Sequence, residues 1–120
     1  MKLQRPSYKE LDRKIRQAKE AVSRGRISIL NPVIVAADAL GLGVPFREIR
    51  EILFNLLEET RLTDYVGQHP PQRSYEKEIL RSELLAFRWN SKRLGCELYL
   101  KFAFQEGQFW LVSLHEARKD

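Results

Sequence analysis

The sequence has few of the residues on which disulfide-linked and metal-bound small proteins depend. It contains a single cysteine, Cys96, so no internal disulfide can form. Its only histidines, His69 and His115, are too few for the Cys and His sets of structural zinc sites. Asp, Glu and His are not clustered along the chain, which argues against a metal-dependent nuclease. We therefore expect no metal and no cofactor, and we expect Cys96 to be a small buried residue at the start of a strand.

Long apolar runs are missing as well. No stretch approaches the roughly 20 apolar residues that span a bilayer. The N-terminal residues also lack the apolar segment of a signal peptide. These absences predict a cytoplasmic protein with no membrane partner. Hydrophobic residues make up 43% of the 120 positions and charged residues 31%, which is typical of one ordinary globular domain.

Cations outnumber anions in this chain. Lysine and arginine total 21 against 16 aspartate and glutamate, which gives a formal net charge of +5. Such an excess suits a polyanionic partner such as nucleic acid. The alternative is a basic surface that only maintains solubility.

The chain begins with the pattern of a basic arm followed by an amphipathic helix. Residues 1–6 form the arm, and Ser7 and Glu10 have the spacing of a capping box, which satisfies free backbone amides at a helix start. Apolar residues then recur at steps of three and four until Gly25. The opposite face is basic, and it either follows a phosphate backbone or is simply solvated.

Two more helices follow. Residues 24–29 have the composition of a short connection, after which Asn31 is expected to cap a second helix with Pro32 at its first position. This helix is apolar nearly all round, as expected of a buried helix. Pro45 opens the third helix, so the prediction is a helical layer over residues 7–58.

Residues 59–82 show no clear period and are predicted to be a loop. Within them, residues 62–66 have the composition of a short strand, whereas Gly67 and Pro70–Pro71 break regular structure. A loop of this length in so small a domain is more often functional or mobile than incidental. It carries our candidates for holding an RNA strand, which are cations for the backbone and a tyrosine for stacking on bases: Arg73, Tyr75, Lys77 and Arg81.

The last third, residues 83–117, has the period of two that is typical of half-buried strands. One strand begins near Glu83 and turns back at residues 90–95. In the two strands that follow, apolar residues alternate with more polar ones. The apolar positions are Leu98, Leu100, Phe102 and Phe104, and then Trp110, Val112 and Leu114.

The turn at Glu106–Gly107 decides how these last two strands pair. A two-residue turn mixes polar and apolar side chains on each face. A three-residue loop, or one bulge, keeps them apart, so the hydrophobic pattern favours one of these two. The apolar pairs predicted in that register are Phe104 with Trp110, Phe102 with Val112 and Leu100 with Leu114.

The same register gathers reactive groups on the polar face of the hairpin, with Tyr99 beside His115 and Lys101 beside Ser113. Cleavage of RNA without a metal needs a base for the 2′-hydroxyl proton, an acid for the departing 5′-oxygen, and cations around the phosphate. The imidazole of His115 is the natural acid or base. Tyr99 would orient the phosphate or share the proton transfer, and Lys101 and Arg88 would stabilise charge.

Helices first and strands afterwards, without alternation, predict an α+β fold. We expect one domain, residues 1–120, in which three N-terminal helices pack on one face of a C-terminal antiparallel meander.

Three stretches of the sequence resemble a known family. They are residues 36–42 (Ala-Ala-Asp-Ala-Leu-Gly-Leu), residues 97–102 (Glu-Leu-Tyr-Leu-Lys-Phe) and residues 111–114 (Leu-Val-Ser-Leu). Their order and spacing are similar to those of the motility quorum-sensing regulator (MqsR) toxins, which belong to the RelE-like messenger-RNA interferases. The similarity runs at low identity over residues 11–115.

This resemblance implies a RelE-like fold and an endoribonuclease that acts with or without the ribosome and is neutralised by a cognate antitoxin. The family's functional tyrosine matches Tyr99. Its lysine on the last strand falls on His115, and its glutamine on the second strand falls on Ala86, so both positions depart from the pattern. A further family lysine after the third helix has no match.

A function of another class remains open from the sequence. A non-catalytic module would bind RNA or a protein through the same sheet face, and it would not need Tyr99, His115 and an arginine to lie together. Trp89 is either part of the core or a second platform for stacking on bases.

Overall fold

The computed structural model describes residues 8–68 and 70–118 and confirms the α+β class. The basic arm, Ser7 and His69 lie outside the described residues. Short 3₁₀ turns cover Phe46–Glu48, Leu62–Asp64 and Lys77–Ile79. The helices and strands are, in chain order, α1 (Tyr8–Ser23), β1 (Ile27–Ile29), α2 (Pro32–Gly41), α3 (Ile49–Glu59), β2 (Leu84–Ser91), β3 (Cys96–Gln105) and β4 (Gln108–Glu116).

The sheet has four strands in the order β1-β4-β3-β2 and is mixed. Strands β2, β3 and β4 form the expected antiparallel meander. The expectation of a purely antiparallel sheet is wrong, because β1 pairs in parallel with residues 109–111 of β4. This strand lies within the predicted connection at residues 24–29. Three residues are too few to display a period of two, although Ile27 is buried.

The main core lies between the sheet and helices α1 and α3. The rings of Phe87, Phe102 and Phe109 are fully buried on this side, and each comes from a different strand. Their centroids are 6.0 Å apart for the first pair and 4.9 Å apart for the second. Burial of a phenyl side chain contributes roughly 1.5–3 kcal/mol, so this row is a major part of the core.

Helix α2 is not buried on every side, and that expectation is wrong. Only Val35 and Ala39 are buried, while Val33 is 84% exposed, Ile34 61% and Leu40 67%. The helix contacts β4 and the turn before α3, which cover one side only. Pro32 is at the first helical position as predicted, but the Asn31 side chain makes no capping hydrogen bond. None of the described helices has the length and apolar composition needed to cross a bilayer.

The β3–β4 hairpin combines a two-residue turn with one bulge. Glu106 and Gly107 have φ angles of 52° and 78°, the combination that suits a tight hairpin turn. The bulge lies opposite Lys101 and Phe102 and leaves Val112 as the extra residue. Consequently, Leu111 and Leu114 are both fully buried in the core although they are three positions apart.

The predicted register is correct on one side of the bulge and wrong on the other. The predicted pairs beyond the bulge are confirmed, namely Leu100–Leu114, Tyr99–His115 and Lys101–Ser113. The two predicted pairs nearer the turn are wrong, and the pairs there are Phe104–Phe109 and Phe102–Leu111.

Residues 70–83 form a loop that covers part of the opposite sheet face. Instead of the short strand predicted at residues 62–66, a 3₁₀ turn is followed by a single bridge between Tyr65 and Phe87. Further along, the Leu84 amide donates to the Gln72 carbonyl at 2.7 Å. Ile79 is fully buried on this face and packs in a small cluster with Leu30 and Ala103. Helices α1 and α3 and this loop therefore lie on opposite sides of the sheet.

Candidate active site

Tyr99 and His115 stack on the sheet face opposite α1 and α3, which we call the polar face. Because they are directly paired in the β3–β4 register, both side chains leave the sheet on the same side. Their ring centroids are 5.1 Å apart and their planes differ by 21°. The pair that the alternation predicted is therefore a direct contact.

The hydrogen bonding of His115 fixes its neutral tautomer. Its Nδ1 atom lies 2.7 Å from the Glu116 carbonyl oxygen, which can only accept a hydrogen bond. Nδ1 therefore carries the proton and donates it to that oxygen. In the neutral ring this leaves the lone pair on Nε2, so Nε2 is the atom able to take a proton from a substrate.

Tyr99 has the opposite character. Its side chain is half-buried, and burial raises the pKa of the phenol above its ordinary value near 10. The phenol is therefore protonated at neutral pH and acts as a hydrogen-bond donor. A proton acceptor and a proton donor thus stack on each other.

Lys101 and Ser113 lie two pairs along the hairpin from this stack, on the same face of the sheet. They line a groove of about 350 Å³, which we call the sheet groove, and the bulge adds Val112 to its wall. Lys101 makes no ion pair with a carboxylate of the described residues, so its ammonium group is available to an anion. The remaining wall comes from the start of α2 and from the loop: Leu30, Asn31, Ile34, Gln72, Arg73, Ser74, Tyr75, Glu76 and Leu84.

The loop brings two of the four predicted RNA-binding residues, Arg73 and Tyr75, to the sheet groove. These two also line a second cavity of about 810 Å³, the loop groove, together with Arg81. Arg73 donates from Nη1 to the Arg81 carbonyl at 2.8 Å, which fixes both residues. Lys77 lies in a 3₁₀ turn, is exposed and lines neither groove.

Arg88 shares the polar face but is engaged elsewhere. It pairs with Tyr99 across β2 and β3. Its Nη2 atom lies 3.4 Å from a carboxylate oxygen of Glu97 and donates to the Arg118 carbonyl at 3.1 Å. Its Nε atom is buried and has no hydrogen-bond partner. The guanidinium charge is therefore held beside Tyr99 and away from the sheet groove.

Trp89 belongs to the core. It is 6% exposed, and its indole Nε1 donates to Glu59 at 2.9 Å. It therefore offers no face to a base. Cys96 is half-buried at the start of β3, and burial, with a smaller effect of the Glu116 carboxylate, raises the pKa of its thiol. The thiol is thus not activated as a nucleophile.

Some lining residues were not among the predicted site residues. Ser113 was placed beside Lys101 by the register but had no role, and Gln72 belonged to the polar loop without being singled out. Asn31 and Ile34 carry no sequence signal for a groove, because both belong to the start of a helix expected to be buried. Among the residues that the structure describes, no group of three His, Cys, Asp or Glu side chains is placed to hold a metal ion.

The sequence matches no protein-family model, and it has no significant match among curated proteins. The resemblance to the MqsR toxins remains a prediction from the sequence.

Proposed function

We propose that this protein is a toxin-type endoribonuclease that cleaves single-stranded RNA without a metal ion and is neutralised by an antitoxin. The observation that carries the proposal is the Tyr99–His115 stack on the same sheet face as Lys101. Lys101 lines the sheet groove, whereas the two stacked rings lie outside its lining. The fold class is compatible with the RelE-like arrangement that the resemblance implies. The antitoxin and the ribosome as partners rest on that resemblance alone.

The proposed reaction uses the two stacked groups in different roles. His115 Nε2 takes the proton from the 2′-hydroxyl, and the 2′-oxygen attacks phosphorus while the bond from phosphorus to the 5′-oxygen breaks. The Tyr99 phenol gives its proton to the departing 5′-oxygen. The proton held by His115 then returns to Tyr99 through solvent. The products are a 2′,3′-cyclic phosphate and a 5′-hydroxyl end.

Cations stabilise the crowded phosphate in this scheme. Lys101 lines the groove and forms no ion pair with a described carboxylate. Charge stabilisation of this kind is commonly the largest single contribution to catalysis. Arg88 acts at a distance, since Glu97 and the Arg118 carbonyl already engage its guanidinium. Arg73 and Arg81 hold the flanking backbone, and Lys77 contacts the strand only outside the grooves.

The test is cleavage of a mixed-sequence RNA in EDTA by the wild type, by His115→Ala and by His115→Phe. Phenylalanine keeps a flat ring against Tyr99 but has no nitrogen, so it separates proton transfer from stacking. We expect wild-type cleavage, and a fall of about a hundredfold or more in both variants, because loss of a general base costs roughly 10²–10⁴ in rate.

Two controls make this result specific. A substrate with a single 2′-deoxy sugar at the cleaved position has no nucleophile and should remain intact. Circular dichroism should show that His115→Phe is folded. Full activity of His115→Phe, or cutting of the deoxy substrate, would refute the proposed chemistry.

Two observations favour a second candidate, a non-catalytic RNA- or protein-binding module. Arg88 is turned towards Glu97, and Ala86 stands where the resemblance places a functional glutamine. If the wild type binds RNA at low salt but leaves it uncut with and without ribosomes, the binding module is the better description.

A further inference from the structure

Tyr75 is the most exposed large hydrophobic side chain in the described part of the chain, with 90% of its area accessible. It lines both the sheet groove and the loop groove, so it stands on the ridge between them. Gln72, Arg73 and Ser74 line both grooves as well, so a strand that passes from one groove to the other crosses the ridge that these residues form with Tyr75.

The ridge is rigid. The neighbouring Ser74 is buried, its amide donates to the Ser82 carbonyl at 2.9 Å, and its carbonyl accepts from the Arg81 amide at 2.8 Å. Ile79 is fully buried against Ala103 of β3, and this contact packs the loop on the sheet. An aromatic ring on a fixed backbone offers a stacking surface at little entropic cost.

Cations flank the ridge on both sides. Lys101 lines the sheet groove, Arg81 lines the loop groove, and Arg73 lines both. None of the three forms an ion pair with a carboxylate of the described residues. Glu76 is the one carboxylate in the walls of the two grooves. An exposed aromatic ring between free cations suits a single-stranded nucleic acid, in which bases stack on rings and phosphates contact the cations.

Gln72 is placed to read the edge of a base held on this ring. Its backbone carbonyl accepts from the Leu84 amide at 2.7 Å, which fixes its position. Its carboxamide makes no hydrogen bond to another described side chain or backbone group, and it lines both grooves. A carboxamide offers two donors and one acceptor, which can pair with a base edge.

We propose that Tyr75 is the platform for one unpaired nucleobase and that Gln72 sets the preference for that base. This inference rests on the proposed function, because it takes RNA as the ligand of the groove. It adds a subsite for a single base, which determines where the RNA is cut relative to the base bound on Tyr75.

The test uses a short single-stranded RNA, chosen for binding, and a series of copies that each lack the base at one position. The parent protein carries only His115→Ala, which prevents cleavage. Fluorescence anisotropy measures the binding of each copy to the parent and to the parent with Tyr75→Ala or Tyr75→Phe added. We expect Tyr75→Ala to weaken binding of the intact RNA by about 5- to 150-fold, and Tyr75→Phe to bind within about twofold of the parent.

The coupling between base and ring is the deciding observation. Removal of one particular base should weaken binding to the parent by a similar factor and have no further effect on Tyr75→Ala. If removal of each base weakens binding to the parent and to Tyr75→Ala by the same factor, Tyr75 is not a base platform. If no RNA binds the parent at any salt concentration, the subsite and the proposed function both fall. RNA that binds with this coupling but is never cut by the wild type would refute the nuclease and support the subsite.

Gln72 is tested at the position found in this way. Substrates carrying each of the four bases there are compared for the parent and for Gln72→Ala, with Gln17→Ala on α1 as the matched control outside both grooves. We expect Gln72→Ala to level the binding preference among the four bases while Gln17→Ala preserves it. An unchanged preference in Gln72→Ala would refute the reading role.

Discussion

At the scale of single residues, the stack of Tyr99 on His115 brings together a group that can give a proton and a group that can take one. The phenol stays neutral because burial disfavours its anion, and the imidazole has one nitrogen committed to the Glu116 carbonyl and one free. A proton donor in contact with a proton acceptor is the arrangement that general acid and base catalysis needs.

Tyr99→Phe tests this assignment. The ring and its stack are kept, and only the phenol oxygen is lost. If the phenol donates the proton, we expect the rate of cleavage to fall by about 10²-fold or more while RNA binding changes only a few-fold. Single-turnover cleavage and anisotropy measure the two quantities separately. An unchanged cleavage rate in Tyr99→Phe would assign the acid role to another group.

The same residue makes a prediction about stability at alkaline pH. The folded-state pKa of Tyr99 is raised, so its contribution to stability is complete below the ordinary value near 10 and is lost as the pH rises through the higher folded-state value. We expect Tyr99→Phe to reduce the fall in the urea midpoint above pH 10. The pKa of Tyr65 is raised as well, first by burial and then by Glu83. Tyr65→Phe should therefore also reduce the fall in the urea midpoint above pH 10.

At the scale of whole elements, Glu59 joins the end of α3 to the β2–β3 hairpin. One carboxylate oxygen accepts from the Trp89 indole and the other from the Arg93 amide, each at 2.9 Å. Burial alone would raise the pKa of Glu59. The hydrogen bonds from Trp89 and Ser91 and from the Arg93 and Lys92 amides outweigh it, and the pKa is lowered.

Glu59→Gln is expected to destabilise the protein at pH 7 by about 1–3 kcal/mol, because hydrogen bonds to a charged group are weakened or lost. A lowered folded-state pKa gives stability that is present above the ordinary value near 4.5 and is lost as the pH falls through the folded-state value. The difference in unfolding free energy between the wild type and Glu59→Gln should therefore shrink as the pH falls below about 4.5. Urea titrations at pH 3 to 7 measure this, with the neighbouring Glu58→Gln as control. A constant gap across this range would contradict the assignment.

How much of the fold followed from the sequence also depends on the elements. The alternation in residues 97–104 predicted a strand, and its polar face correctly paired Tyr99 with His115. The bulge at Val112 could not be located, because an apolar residue on the wrong face looks the same in sequence as a longer turn. Strand β1 was too short to show a period, and the apolar composition of α2 gave no sign of which side faces solvent.

The candidate site was predicted in part for a similar physical reason. Cross-strand neighbours follow from register, so Tyr99, His115 and Lys101 were foreseen together. The loop lies close to these residues because Ile79 is buried against Ala103. No local sequence pattern indicates this burial. Arg88 was placed on the right face, but its contact with Glu97 depends on side-chain conformation and not on register.

At the scale of the whole molecule, the positive charge is distributed unevenly between paired and free cations. Around α1, ion pairs neutralise Lys14 through Glu83 at 2.8 Å and Lys19 through Glu58 at 3.3 Å. The cations along the two grooves make no such pair with a described carboxylate. The cations of the two grooves are therefore available to a polyanion on the polar side of the sheet.

Salt dependence of RNA binding tests this distribution by comparing Arg81→Gly with Arg13→Ala. Both variants lower the net charge equally. Arg81 has a φ angle of 69°, which glycine adopts without strain, so the loop backbone should persist. Arg13 is exposed on the basic face of α1. Each phosphate contact on single-stranded RNA contributes about 0.7 to the slope of log K against log salt concentration. We expect Arg81→Gly to reduce the slope by about 0.7 and Arg13→Ala to leave it unchanged. A reduced slope in Arg13→Ala alone would place the RNA along α1, and equal reductions would mean that binding responds only to net charge.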